Sequence, residues 1–188
     1  MIQNVLPVVG AELNNYLKSQ FDLDQDRLVL SNVMNQDGTS ALEGSNKVVF
    51  SLINVEEEST LKAKTGTPFT GGSFTSGGPD IHLNLTVMFS AIFQGKNYVE
   101  SLKFLSGIIY FFQSILVFNS SKTTGLSSSI DKVCFDILTM PLNELHSVFH
   151  MLGMKYAPSV LYKVRMLTFT SSNIEDEIPP ISGLGYND

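Results

Sequence analysis

The stretch Lys155-Tyr-Ala-Pro-Ser-Val-Leu-Tyr-Lys-Val-Arg-Met-Leu-Thr-Phe169 decides the fold. Pro158 biases the residue before it toward extended geometry, and from there the period is two. Val160, Tyr162, Val164, Met166 and Thr168 fall on one side; Leu161, Lys163, Arg165, Leu167 and Phe169 fall on the other. The first set is a core face. The second places two cations inside an apolar stripe, and a strand buried on both faces does not hold Lys163 and Arg165 unless something pairs with them. Two readings follow: an antiparallel strand with one solvated face, or a strand whose second face meets an acidic partner.

Working outward, Pro141 to Leu152 reads as a helix with Leu142, Leu145, Phe149 and Leu152 on one face, and Gly153 is its natural stop. Lys132 to Leu138 reads as a short strand. Ile81 to Phe93 is the cleanest strand: Ile81, Leu83, Leu85, Val87, Phe89, Ala91 and Phe93 share one face, with His82, Asn84, Thr86 and Ser90 on the other. This predicts a central antiparallel strand with its odd-numbered face on the core. Between these lies the best helix. Asn97 and Glu100 have capping-box spacing. Tyr98, Leu102, Leu105, Ile109 and Phe112 predict the buried stripe, and Phe104, Ile108 and Phe111 widen it, which fits either a deeply buried core helix or one that packs on the sheet and touches something else too. At the start of the chain, Ile2, Val5, Leu6, Val9, Leu13, Tyr16 and Leu17 recur at helical spacing up to about Phe21, with Pro7 near the helix start and Gly10 weakening its interior. Arg27 to Val33 and Lys47 to Glu58 read as strands, the second with poor alternation, as expected for two partly buried faces. It ends in the acidic triplet Glu56, Glu57 and Glu58, either a solvated strand end or a dock for a basic neighbour.

The connections are Met34 to Asn46, the Thr/Gly/Ser-rich Ser59 to Asp80 and Asn119 to Ser129. A loop as long as Ser59–Asp80 is commonly functional or disordered; here it reads as a mobile hairpin tip that orders in an assembly. The order of elements predicts an α+β fold: a mixed, mostly antiparallel sheet with helices packed on one face. Residues 1–172 form the expected domain, and 173–188, acidic and rich in Pro and Gly, a flexible tail.

A chain of 188 residues with 43% apolar and 16% charged residues is long enough for a real core. Its net charge of −6 argues against broad binding of nucleic acid or anionic membranes. Phe104 to Phe118, the most hydrophobic stretch, is too short and too polar to span a bilayer, and the N-terminus lacks a signal-peptide pattern, so a soluble protein is expected. Cys134 is the single cysteine, so no intrachain disulfide forms, and a buried, inert thiol is expected.

No catalytic motif emerges. His146 and His150 stand four apart on one helix, but Glu144 precedes both and no third ligand is apparent, so no metal and no cofactor are expected. Gly66 and Gly71 lack the Gly-Lys-Ser/Thr ending of a phosphate loop. A Gly-x-Ser-x-Gly elbow is missing too. A small hydrolase or sugar-binding module, with the Thr/Gly/Ser loop over a cleft and His82 or His146 in acid–base work, stands as the alternative reading.

The run Lys155 to Thr168 closely resembles the end of the cap, or tail-terminator, domain of phage-tail-like contractile injection systems. Leu83 to Ala91 with Tyr98 to Ser106 and Phe111-Phe112-Gln113, and the Leu142 to His146 helix, resemble the same family in the same order, over roughly Ile2 to Thr170. The resemblance implies a small α+β domain, no enzymatic activity, and a six-fold ring seated on the last ring of the inner tube and contacting the last sheath ring, so that tail growth stops. It implies three partners: other copies of the chain, the tube protein and the sheath protein, with no nucleic acid and no direct insertion into a membrane. It also implies assembly in the bacterial cytoplasm, followed by residence in the particle. Sheath subunits in such systems link by strand exchange, so a sheet edge here is a candidate acceptor. Lys163 and Arg165, with Glu56, Glu57 and Glu58, are the expected partner-facing residues. Members often continue into a C-terminal extension; the sequence ends at Asp188, so the resemblance lends it no function carried by such an extension.

Overall fold

The N-terminal helix α1 (Ile2–Phe21) buries Val5, Leu6, Val9, Gly10, Leu13 and Leu17 along one stripe, as its period dictates, and tolerates Pro7 in its second turn. This computed structural model describes residues 2–35, 37–42, 44–58, 69–70, 73–77, 81–127, 130, 132–169 and 174–178. The loop expected over Ser59–Asp80 lies mostly outside these residues, as does the end of the chain from 179.

The strands are β1 (Leu28–Leu30), β2 (Lys47–Glu57), β3 (Phe69–Thr70), β4 (Ser73–Gly77), β5 (Ile81–Ile92), β6 (Cys134–Leu138), β7 (Ser159–Phe169) and β8 (Ile174–Ile178), and the remaining helices are α2 (Tyr98–Ser114) and α3 (Leu142–Met151). The chain divides into two compact units. The first, Met1–Glu56 with Asn84–Leu167, is organised on a five-stranded sheet in the order β1-β2-β5-β7-β6. β1 runs parallel to β2 and β6 antiparallel to β7, so the sheet is mixed and the class is α+β as expected. The Ala91 N–H donates to the Pro158 carbonyl at 2.9 Å, tying the end of β5 to the start of β7 as neighbours running in opposite directions do. The second unit, Glu57–Leu83 with Thr168–Asp188, carries the three-stranded sheet β3-β4-β8. β4 pairs antiparallel with both neighbours, and β8 falls in the stretch expected as a tail.

α1 and α2 lie together on one face of the larger sheet. The Asn14 side chain clamps β1 to α1, accepting from the Leu28 N–H at 3.0 Å and donating to the Leu28 carbonyl at 2.9 Å. Phe50 of β2 stacks on Phe89 of β5 with centroids 4.5 Å apart. On α2, Phe112 lies 5.5 Å from Phe89, 4.7 Å from Tyr162 of β7 and 4.5 Å from Phe135 of β6, stacked on the last. One ring thus touches the three strands β5, β7 and β6, and offset or tilted aromatic pairs add to the burial of their surfaces.

Four expectations are corrected. The buried stripe of α2 is Ser101, Phe104, Leu105, Gly107, Ile108, Phe111 and Phe112, while Tyr98, Leu102 and Ile109 are exposed. The helix is apolar almost all round, and the face carrying four phenylalanine and isoleucine side chains at 104, 108, 111 and 112 wins the core. Asn97 makes no side-chain cap; a 3-10 turn (Gly95–Asn97) leads into the helix instead. β5 is buried on both faces from Asn84 to Ala91, so Asn84, Thr86 and Ser90 are not on a solvated side. On α3, Phe149 alone is buried and Leu142 is 84% exposed. Gly153 does end α3. At a φ of +65° it donates to the His150 carbonyl while Met154 donates to that of Phe149, the paired bonds of a Schellman stop.

The crossing of α1 and α2 depends on Gly107. A Cβ there would come within 2.9 Å of Leu17 Cδ2 and Phe21 Cε2, whereas one at Gly10 would meet nothing closer than Phe50 at 3.7 Å. Gly107→Val is therefore expected to lower stability by about 1–3 kcal/mol through overpacking, despite its better helix propensity. Gly10→Ala is expected to raise it by about 0.5–1 kcal/mol. Urea unfolding of both variants checks the contrast; a Gly107→Val protein as stable as the parent contradicts the close crossing.

Candidate functional site

The pairing of β6 with β7 sets Asp136 opposite Lys163 and Cys134 opposite Arg165 on one face, and Phe135 opposite Val164 and Ile137 opposite Tyr162 on the other. The second face is the one that Phe112 covers: Tyr162 and Val164 are 3% and 0% exposed. Burial pushes the Tyr162 phenol up from 10.0 to about 12.

The first face carries the charges that the sequence singles out. The Arg165 guanidinium donates through Nε to Asp136 Oδ2 at 2.6 Å, and a terminal nitrogen reaches the same oxygen. Both side chains are about half exposed, so this pair is worth ~0–1 kcal/mol and serves to orient rather than to stabilise. Arg165 therefore has an acidic partner within its own sheet, which sequence spacing could not reveal. Lys163 sits across from the same aspartate and is half-buried. β6 is the last strand in the sheet order, so the Lys163–Asp136–Arg165 group lies beside a sheet edge. Cys134 is half-buried rather than buried and is free.

The other expected partner residues are at and beyond the end of β2. Glu56 and Glu57 are exposed at the end of β2, where Glu56 accepts from Asn54 Nδ2 at 3.0 Å, and the Glu58 N–H donates to the His82 carbonyl at 2.8 Å. β5 stands between β2 and β7 in the strand order, so the sheet does not pair Glu56 with Lys163 or Arg165.

His146 and His150 are both exposed, with ring centroids 6.4 Å apart, on the wall of a cleft of about 370 Å³ that Leu142, Leu145, Phe149, Met154, Lys155 and Tyr156 also line. Among the described residues no group of three or more His, Cys, Asp or Glu could hold a metal ion, and no helix is long and apolar enough to cross a membrane.

The width of the apolar stripe on α2 is legible in the sequence, but which residues it leaves on the outer side is not. Val99 is 79% exposed and Tyr110 64%, with Leu102 and Ile109 about 40% exposed on the same stripe. The signal was present in the all-round apolarity of the helix, but the phase of its buried stripe was misassigned.

Residues 5–183 match the family described as the Pvc16 N-terminal domain. Among curated proteins none matches the chain. Solved structures share the fold, among them the following two. The sheath/tube terminator of the extracellular contractile injection system PVC, in its extended state, aligns over 100% of this chain with a TM-score of 0.62 and 16% identity. The tube-terminating cap of the anti-feeding prophage aligns over 96% with a TM-score of 0.59 and 13% identity. The chain spans 63% and 60% of the length of those two proteins.

The buried phenol sets a pH dependence. Its folded value lies above the ordinary 10.0, so the fold favours the neutral form; that contribution is fully present below pH 10 and is lost as the pH rises toward about 12. The urea midpoint is expected to fall over this window, with a shallower fall in Tyr162→Phe. Equal slopes for the two proteins contradict the burial of a protonated phenol.

Proposed function

The chain belongs to the Pvc16 N-terminal domain family, and on that premise we propose that it is a structural cap that ends the inner tube and sheath of a contractile injection system. The observation that carries this reading is the likeness of the fold, over essentially the whole chain, to two solved terminators. A growing tube end offers ring surfaces and strand edges that recruit the next ring, and a protein that matches this end without offering the same template onward stops growth. The chain does so as a hexameric ring seated on the last tube ring, in contact with the last sheath ring. It assembles in the bacterial cytoplasm and then stays with the particle. The function has no catalytic step and needs no cofactor.

The residues divide by role. The edge strand β6 accepts a sheath strand, and Lys163 and Arg165 beside it meet acidic side chains on that strand. In that contact Asp136 keeps Arg165 extended across β6 in the free chain, and Lys163 offers the charge that Asp136 does not neutralise alone. Glu56, Glu57 and Glu58 form a separate acidic contact at the end of β2, suited to a basic surface.

Growth of purified tube subunits with and without this protein tests the reading. Substoichiometric protein is expected to shorten the tubes markedly, and Lys163→Glu with Arg165→Glu is expected to weaken sheath binding by about tenfold while tube shortening persists. Tubes of unchanged length contradict the cap; unchanged sheath binding by the double variant contradicts the assignment of these two residues.

A further inference from the structure

The outer side of α2 is apolar, exposed and unable to turn inward. Phe104, Ile108, Phe111 and Phe112 anchor the opposite side, and Gly107 sits at the crossing with α1. Val99, Leu102, Ser106, Ile109, Tyr110 and Gln113 therefore stay on the outside, one stripe at helical spacing over ~20 Å of helix. Leu116 and Val117, 71% and 40% exposed, follow the helix end. The charge on this side, Lys103, lies over the Phe21 ring at 4.4 Å and is turned toward α1.

We infer that this stripe is the surface by which neighbouring copies of the chain meet in the ring; the inference rests on the cap reading above. Size and chemistry select a second copy as the occupant. The exposed parts of Val99, Leu102, Ile109 and Tyr110 amount to on the order of 400 Å² of mostly apolar surface, the size of patch that on a monomer is often functional. That is about half of the ~800 Å² per partner of a standard interface, a fitting share for its apolar centre before the polar rim is added. With no charge among its own six residues and Lys103 beside it turned onto the Phe21 ring, the stripe suits a permanent interface between identical chains, which is the most apolar kind, and offers little to steer a charged partner. Tyr110 supplies the large aromatic anchor that such interfaces use. In a closed ring the contact is heterologous: the stripe of each copy seats on a different surface of the next.

Two variants and a probe test this on the full chain. Val99→Glu and Tyr110→Glu change exposed positions, so their urea midpoints should match the parent. Mass is measured by light scattering in the presence of tube ends, alongside binding to those ends. A photo-crosslinking phenylalanine replacing Tyr110 reports what touches the stripe. The expected result is an oligomeric parent, a more than tenfold rise in the concentration each variant needs to assemble, and a crosslinked product of two copies of this chain. Variants that assemble like the parent, or a probe that captures tube or sheath subunits alone, overturn the inference and leave the cap reading standing; a monomeric parent that still binds tube ends overturns the inference together with the ring, and leaves a cap at the tube end. A parent that neither assembles nor binds tube ends overturns both.

Discussion

The larger unit depends on where one ring goes. Phe112 stacks on Phe135 and leans on Tyr162 and Phe89, so a single α2 side chain ties together β6, β7 and β5. Phe118, just beyond the helix, closes the same cluster at 5.6 Å from Phe135. Once this ring is buried, the rotation of α2 is settled, and the rest follows. Phe104 and Ile108 go inward, Gly107 must admit Leu17 and Phe21, and Val99 and Tyr110 are left outside. Burial of one aromatic cluster thus creates both the core and the largest exposed apolar surface of the helix.

This coupling also explains what could be read from the sequence. Where period and boundary signals agree, the sequence was sufficient to place an element: α1 ends at Phe21, β7 begins at Ser159 with Tyr162 and Val164 buried, and α3 stops before Gly153. Where both faces are apolar, period cannot choose between them. α2 is such a case, and Leu102 and Ile109 were placed inside by spacing that fits equally well from the outside. β5 fails for the opposite reason. Asn84, Thr86 and Ser90 look like a wet face, yet short polar side chains fit a covered layer, and what covers a central strand is decided by distant parts of the chain. The Ser90 hydroxyl is buried without a hydrogen-bond partner among the described residues, a cost that no local pattern foretells.

The charged group shows the same division. Two cations in an apolar stripe announced that Lys163 and Arg165 needed an acidic neighbour. That the neighbour of Arg165 is Asp136 depends on the β6–β7 register, a contact across 29 positions that composition and spacing do not encode. The family, by contrast, was legible as an ordered set of strand and helix pieces rather than as any chemical motif. For a protein whose proposed task is to fit and to stop, shape and edges carry the function, and a search for catalytic groups has little to find. The fold accordingly offers two different surfaces: a short charged edge at β6, and a long, mostly apolar helix face on α2.

The central claim is that this chain sits at the end of a tube. The most direct measurement is electron microscopy of assembled tails with the protein carrying a gold label, scored for the position of the label along each particle. The account predicts label at one end of each tail, on the final tube ring, and none along its length. Label spread along the sheath, or absent from particles that nonetheless stop at normal length, contradicts it.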